Sequence, residues 1–202
     1  MFKKLKRFLM TPKQRDLDTI MSIEGQLSLN EAEVLYEMAQ SISENSVIVE
    51  IGSYRGRSTV ALGLGALSGN GNRVYAIDPH LEFIGALGGA FGPVDQEILY
   101  KNLSDARVGK IVQVVSLPSV SVSRAWEQKN IGLLWVDGDH RYTAVKADYL
   151  AWSPYLVEGG WILFHDSFMD DVKRLIDEVV QRSEVVFAKQ VGQIGIYKYM
   201  KG

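Results

Sequence analysis

Cysteine is absent from the 202 residues, which excludes disulfide frameworks, thiolate nucleophiles and cysteine-ligated zinc or iron–sulfur centres. Its absence suits a reducing cytoplasm, where the chain is expected to reside. No run reaches the roughly 18 consecutive apolar residues of a membrane span. A secretory leader is also unexpected, because the apolar part of the N-terminus is short and no small-residue cleavage site follows it. Repeats and low-complexity tracts are missing, which excludes a collagen-like or coiled-coil rod. What remains, with 47% apolar and 23% charged residues, is the composition of one globular unit able to bury roughly 70% of its unfolded surface.

Acids are missing from residues 1–15, which hold Lys3, Lys4, Lys6, Arg7, Lys13 and Arg15. These are six of the 22 cations, so the rest of the chain sets 16 against 24 acids and carries a net charge of −8. An acidic body argues against a nucleic-acid-coating surface. Phe2, Leu5, Phe8 and Leu9 recur at near-helical spacing among the N-terminal cations. Two readings fit: a weak contact with anionic lipid headgroups that makes the protein peripheral to a membrane, or a solvated turn that packs in a homo-oligomer. Residues 1–44 read as this basic segment plus a helix, and residues 45–202 as a single domain.

Along that chain, short apolar runs alternate with helical patterns. Ser28 and Glu31 have capping-box spacing ahead of a 3.6-residue period. Val47–Ile51 reads as a buried strand, followed by a glycine loop and a helix over Ser58–Leu67. Strands follow at Arg73–Ile77, Ile111–Val115, Leu133–Val136 and, after the turn Glu158-Gly159-Gly160, Trp161–Phe164. Helices are expected over Thr143–Tyr149 and Asp171–Gln181, and two closing strands at Val185–Ala188 and Ile194–Tyr199. This alternation predicts an α/β fold: a Rossmann-like, doubly wound, seven-stranded, mostly parallel sheet with one antiparallel strand and helices on both faces. The glycine-rich stretch Gly85–Pro93 is either a flap over a site or a plain surface connection.

Ligands of such sheets collect beyond the carboxyl ends of the strands. Glu50-Ile51-Gly52, Asp78-Pro79-His80, Asp137-Gly138-Asp139-His140 and His165-Asp166 all fall at that edge. The loop Gly52-Ser53-Tyr54-Arg55-Gly56-Arg57-Ser58 fails two phosphate-binding patterns. It has three residues between glycines and Arg57 where a P-loop has four and a lysine. Tyr54 takes the place of the middle glycine of a dinucleotide fingerprint. Glu50 is a further objection, because an anion at the mouth repels phosphate. Asp78 is placed to accept hydrogen bonds from the hydroxyls of a ribose. A sulfonium nucleoside meets these constraints.

The segments Val-Glu-Ile-Gly-Ser-Tyr-Arg-Gly-Arg-Ser-Thr (49–59), Val-Tyr-Ala-Ile-Asp-Pro-His (74–80), Trp-Val-Asp-Gly-Asp-His-Arg-Tyr (135–142) and Gly-Gly-Trp-Ile-Leu-Phe-His-Asp (159–166) resemble, in order, those of class I S-adenosylmethionine-dependent methyltransferases. Within that class the chain is similar to the small group related to catechol-type and macrolide-sugar O-methyltransferases. The resemblance implies that Glu50, Gly52, Ser53 and Gly56 hold the methionine portion, that Asp78 binds the ribose, that Pro79 lies against the adenine and that Ser116 sits at its edge. It implies a divalent metal, Mg²⁺, on Asp137 and Asp166, with Ser167 standing where those relatives have an asparagine ligand. It also makes His140 the general base.

The chemistry agrees, because an alcohol gives up its proton reluctantly at neutral pH. A cation on Asp137 and Asp166 lowers the hydroxyl pKa, His140 removes the proton, and His165 can replace or support either. His80 and His165 are candidate acceptor contacts, and the acceptor itself is a small molecule or glycan. The competing functions are an N-methyltransferase without metal, a partner subunit that binds the nucleoside without catalysis, and an NAD-dependent oxidoreductase, which Glu50 and Tyr54 disfavour.

Overall fold

The computed structural model describes residues 10–127 and 130–200, so the expected headgroup contact or subunit turn over residues 1–15 falls mostly outside it. Two helices come first, α1 (Pro12–Met21) and α2 (Leu29–Gln40). Thr11 and Gln14 close a capping box on α1, and Ser28 and Glu31 do so on α2. The chain continues through β1 (Val47–Ile51), α3 (Arg57–Ser68) and β2 (Val74–Ile77). A hairpin, β3 (Phe83–Ile84) and β4 (Ala90–Phe91), leads to α4 (Pro93–Asp105), β5 (Val112–Val115) and α5 (Ser119–Arg124). The last half comprises β6 (Ile131–Val136), α6 (Tyr142–Trp152), β7 (Leu156–Phe164), α7 (Asp170–Gln181), β8 (Val185–Val191) and β9 (Ile194–Tyr199).

The seven-stranded sheet runs β5-β2-β1-β6-β7-β9-β8. β9 is antiparallel to both β7 and β8, and the other pairings are parallel. This is the expected doubly wound sheet with one reversed strand. Successive strand residues serve opposite faces. Ile48, Val74, Leu133 and Trp135 pack beneath α1, α2 and α3 together with Ile20, Leu35 and Leu62. Val49, Ile77, Leu134 and Phe164 pack against Tyr149, Trp152 and Leu175 from α6 and α7. The N-terminal helices therefore belong to the core of one face. A Cβ on Gly65 of α3 would collide with the Tyr36 carbonyl of α2, so glycine lets these two helices touch backbone to backbone.

Three local features differ from the sequence reading. Glu158-Gly159-Gly160 lies inside β7 rather than before it. The register jumps there, from Ile131 opposite Leu156 to Leu133 opposite Trp161, which is how a strand accommodates inserted residues next to a left-handed glycine. The 85–93 stretch, left open as a flap or a connection, supplies the turn and second strand of the β3–β4 hairpin, Phe83 standing opposite Phe91. α4, with Pro at its start and Leu99 and Leu103 buried, was not expected. Among the described residues no helix is long and apolar enough to cross a membrane.

Candidate active site

Strand order reverses between β1 and β6, which opens a crevice at their carboxyl ends. Gly52 permits the close approach of the two loops there. It has φ +84°, and a Cβ would run into the Asp137 carbonyl and lie 2.9 Å from Gly138 Cα. The crevice is a cavity of about 850 Å³, sufficient for a nucleoside and an acceptor together. Gly52, Ser53, Asp78, Pro79, Asp137 and Asp166 line it, and the β3–β4 hairpin forms a wall. In that wall Phe83 stacks on Phe91 at 4.9 Å between centroids, and Tyr54 meets Phe91 edge to face at 5.2 Å. Arg141 ties the hairpin down, donating to the Ile84 carbonyl at 3.0 Å while pairing with Asp139 at 2.7 Å.

Asp78 organises the loop after β1. Its Oδ2 accepts the Ser53 and Tyr54 amides at 2.9 and 3.0 Å, and its Oδ1 accepts the His80 amide at 2.9 Å. Oδ2 is filled by its two amides, and Oδ1, with one, keeps a lone pair for a further donor such as a ribose hydroxyl. The Ser53 hydroxyl is buried beside it without a hydrogen-bond partner, as expected of a group whose partner is a bound molecule.

Several expected contacts are placed elsewhere. Glu50 does not line the cavity. It is fully buried behind the loop, where Ser58 and Thr59 at the start of α3 donate to its two oxygens, the latter at 2.6 Å. Burial pushes its carboxyl up to about 8, with Asp137 and Asp78 adding to the rise against those hydroxyls. The supposed anion at the mouth is thus a largely neutral brace beneath it. Gly56 (φ +89°) also stays off the cavity wall, where it shapes the turn into α3. Ser116 is exposed and paired with Gln96 rather than facing the cavity. Ser119 and Asp148 line that end instead, hydrogen-bonded to each other, with burial raising Asp148 to about 6. No spacing rule links these two, since Asp148 arrives from α6. His80, expected to meet the acceptor, borders the cavity but has only 2% of its side chain exposed. Its ring nitrogens face the Asp78 and Tyr54 carbonyls at 3.0 and 3.1 Å, so it clasps the loop to β2.

The partly neutral state of Glu50 has a measurable consequence. Its carboxyl sits at about 8 in the fold against an ordinary 4.5, so the folded protein holds a proton there that the unfolded chain releases. That contribution to stability is complete below pH 4.5 and is lost as pH rises through about 8. Glu50→Gln, a permanently neutral isostere, is expected to narrow the difference in melting temperature between pH 5 and pH 8. An unchanged difference would mean that the carboxyl is ionised in the fold.

The ends of β6 and β7 bring four side chains together. His165 Nδ1 lies 3.0 Å from Asp137 Oδ1 and 3.4 Å from Asp166 Oδ2, and His140 Nε2 lies 3.4 and 3.2 Å from the same two oxygens. The four candidate ligand atoms fall within 4.8 Å of one another. Burial opposes charge on Asp137, but His165 and His140 outweigh it and hold the carboxyl below its ordinary range. Burial likewise opposes the imidazolium forms, yet Asp137 and Asp166 raise His140 and push His165 up to about 10. His140 Nε2 is buried without a well-directed hydrogen bond. Two carboxylates and two imidazoles converging on one point suit a divalent cation.

A family model of the methyltransferase domain matches residues 49–167, more than half of the chain. The chain belongs to that family and is an S-adenosylmethionine-dependent methyltransferase. Solved structures share the fold along nearly their whole length. An O-methyltransferase from Bacillus cereus in complex with SAH is 15% identical, with 98% of this chain and 96% of that one covered and a TM-score of 0.66. The SAH-bound Podospora anserina methyltransferase PaMTH1 is 13% identical, with 96% and 89% covered and a TM-score of 0.68. The apo TDP-rhamnose 3'-O-methyltransferase CalS11 of calicheamicin biosynthesis is 19% identical, with 98% and 84% covered and a TM-score of 0.61.

Proposed function

We propose that the protein transfers the methyl group of S-adenosylmethionine to a hydroxyl of a small molecule or glycan, with a divalent cation held by Asp137 and Asp166. The observation that carries this reading is the His140–Asp137–Asp166–His165 cluster beside the crevice between Gly52 and Asp78. Asp78 takes the ribose hydroxyls, and Ser53 with the Gly52 turn receives the methionine portion. The Ser119–Asp148 pair also lines the cavity, where the Asp148 carboxylate can accept from an adenine amino group. The acceptor enters on the side of the β3–β4 hairpin, whose phenylalanines exclude water from it.

Transfer is an in-line displacement in which the acceptor oxygen bonds to the methyl carbon as the carbon–sulfur bond breaks and S-adenosylhomocysteine leaves. Positioning supplies much of the rate, because the carbon is already activated by positive sulfur. Asp137 and Asp166 would hold the cation, which would supply Lewis-acid lowering of the hydroxyl pKa and would offset the two carboxylates that raise His140. The His140 imidazole then receives the acceptor proton at Nε2.

Calorimetric titration with S-adenosylmethionine, followed by assay of S-adenosylhomocysteine release across hydroxyl and amine acceptors, tests the assignment. Turnover on amines alone would overturn it. His140→Ala is expected to lower turnover about 100-fold, within the usual worth of a positioned base, and to leave cofactor affinity unchanged. Because a base works only when unprotonated, the wild-type rate rises with pH through an ionisation that the variant lacks. Equal losses of affinity and turnover would remove His140 from that role.

A further inference from the structure

The cation ligands at the ends of β6 and β7 are not those that Mg²⁺ prefers. Mg²⁺ takes near-octahedral oxygen ligands and gives up its waters reluctantly. Here the imidazole nitrogens of His165 and His140 each lie within 3.4 Å of both carboxylate oxygens. His165 is adjacent in sequence to Asp166, and its amide donates to the Val136 carbonyl at 3.1 Å, so one turn carries both groups. Its ring has 3% side-chain exposure and lies 5.5 Å from the Trp135 ring, which leaves it little freedom to turn Nδ1 away from the carboxylates. Asp166 occupies left-handed backbone, φ +46°. A non-glycine residue tolerates that conformation where the surrounding structure enforces it, and such strain concentrates at functional sites. His140, on the more open side, has 18% side-chain exposure and faces the cavity.

We propose that Asp137, His165 and Asp166 form a mixed nitrogen–oxygen site that selects a first-row transition cation such as Mn²⁺, Fe²⁺ or Co²⁺ over Mg²⁺. His165 is the ligand that sets the preference, and His140 is left to the acceptor. Carboxylates serve Mg²⁺ and Mn²⁺ alike, whereas imidazole favours the transition ions, whose affinities for such sites rise from Mn²⁺ through Fe²⁺ to Co²⁺. The inference rests on the proposed function only in placing the cation next to the acceptor.

The full-length protein is titrated calorimetrically with Mn²⁺, Co²⁺ and Mg²⁺ in the presence of S-adenosylmethionine. Mn²⁺ and Co²⁺ are expected to bind at least tenfold more tightly than Mg²⁺, and bound Mn²⁺ is expected to show ¹⁴N coupling in its electron spin echo. His165→Asp, which restores an all-oxygen set, is expected to lower the Mn²⁺-to-Mg²⁺ affinity ratio at least tenfold. Should that variant fail to fold, the wild-type nitrogen coupling and affinity ratio decide the matter. Equal affinity for Mg²⁺ and Mn²⁺, or bound Mn²⁺ without nitrogen coupling, overturns the inference. A cofactor that fails to bind in the same sample overturns the methyl-transfer reading alone and leaves the cation measurements intact.

Discussion

Asp137→Asn is expected to lower turnover about 10³-fold, roughly 4 kcal/mol of transition-state stabilisation, with a far smaller loss of cofactor affinity. The substitution keeps the shape of the side chain and removes its charge. Two consequences follow from the geometry. In the proposed site the cation would lose one of its two carboxylates and be held more weakly beside the acceptor hydroxyl whose pKa it would lower. His165, 3.0 Å away, also loses its nearest counter-charge, so less of its pKa rise survives. Loss of activity by simple unfolding predicts something else: a lowered melting temperature and a cofactor isotherm that vanishes. Turnover within tenfold of wild type would place the chemistry away from the β6 edge.

Asp78→Ala is expected to weaken S-adenosylmethionine binding about 100-fold, roughly 2.7 kcal/mol. Hydrogen bonds to a charged acceptor are worth about 1.5–3 kcal/mol each, and Asp78 makes two kinds. In the proposed complex it would be the acceptor for the ribose hydroxyls, and it is also the clasp that holds the amides of Ser53 and Tyr54. Alanine removes both, so the loop that shapes the cofactor site loosens as its ribose ligand disappears. Asp78→Asn separates the roles. Its oxygen can still accept from the loop, while its amide donates where the ribose also donates, so most of the affinity loss persists if the ribose contact dominates. An unchanged dissociation constant for the alanine variant, measured by calorimetry, would contradict the assignment.

The two variants act on opposite lips of one crevice, and the backbone explains why those lips are so close. Asp137 N–H donates to the Ile51 carbonyl at 2.9 Å, and Gly52 N–H donates to the Ile77 carbonyl at 3.0 Å. The loops after β1, β2 and β6 are therefore extensions of the sheet ladder rather than independent segments. A side chain at the end of any of these strands inherits the rigidity of the sheet. That favours a reaction whose barrier depends on alignment.

Much of this arrangement is legible along the chain. Five-residue apolar runs alternating with helical periods define a parallel sheet, because such a strand is buried on both faces and its connection must cross back over the sheet. The acids and histidines that end those runs fall at one edge for the same reason. Placing Asp78, Asp137, His140 and Asp166 at that edge needed no more than that rule, while the roles expected of Asp137, His140 and Asp166 came from the family resemblance. What failed was any inference about where a side chain turns once the strand has ended. Glu50, still inside β1 and on the face of Ile48, points to Ser58 and Thr59 of α3, whereas Asp78, just beyond β2, meets the loop amides. His80 follows the same strand end as Asp78 and turns its ring onto the Asp78 and Tyr54 carbonyls. A period of two residues assigns a face within the strand and says nothing about the turn that follows it.

Sequence by itself determined the strand–helix order, the edge at which chemistry gathers and the residue types available there. These are local properties, set by hydrophobic periodicity and by the glycines and acids that end each run. Only the tertiary structure decided that Asp148 of α6 meets Ser119 of α5 and that the β3–β4 hairpin walls the cavity. Only it made Glu50 a buried brace and brought His165 to the same two oxygens as His140. Each of those outcomes depends on distances between segments far apart in the chain, which packing sets and local patterning cannot express.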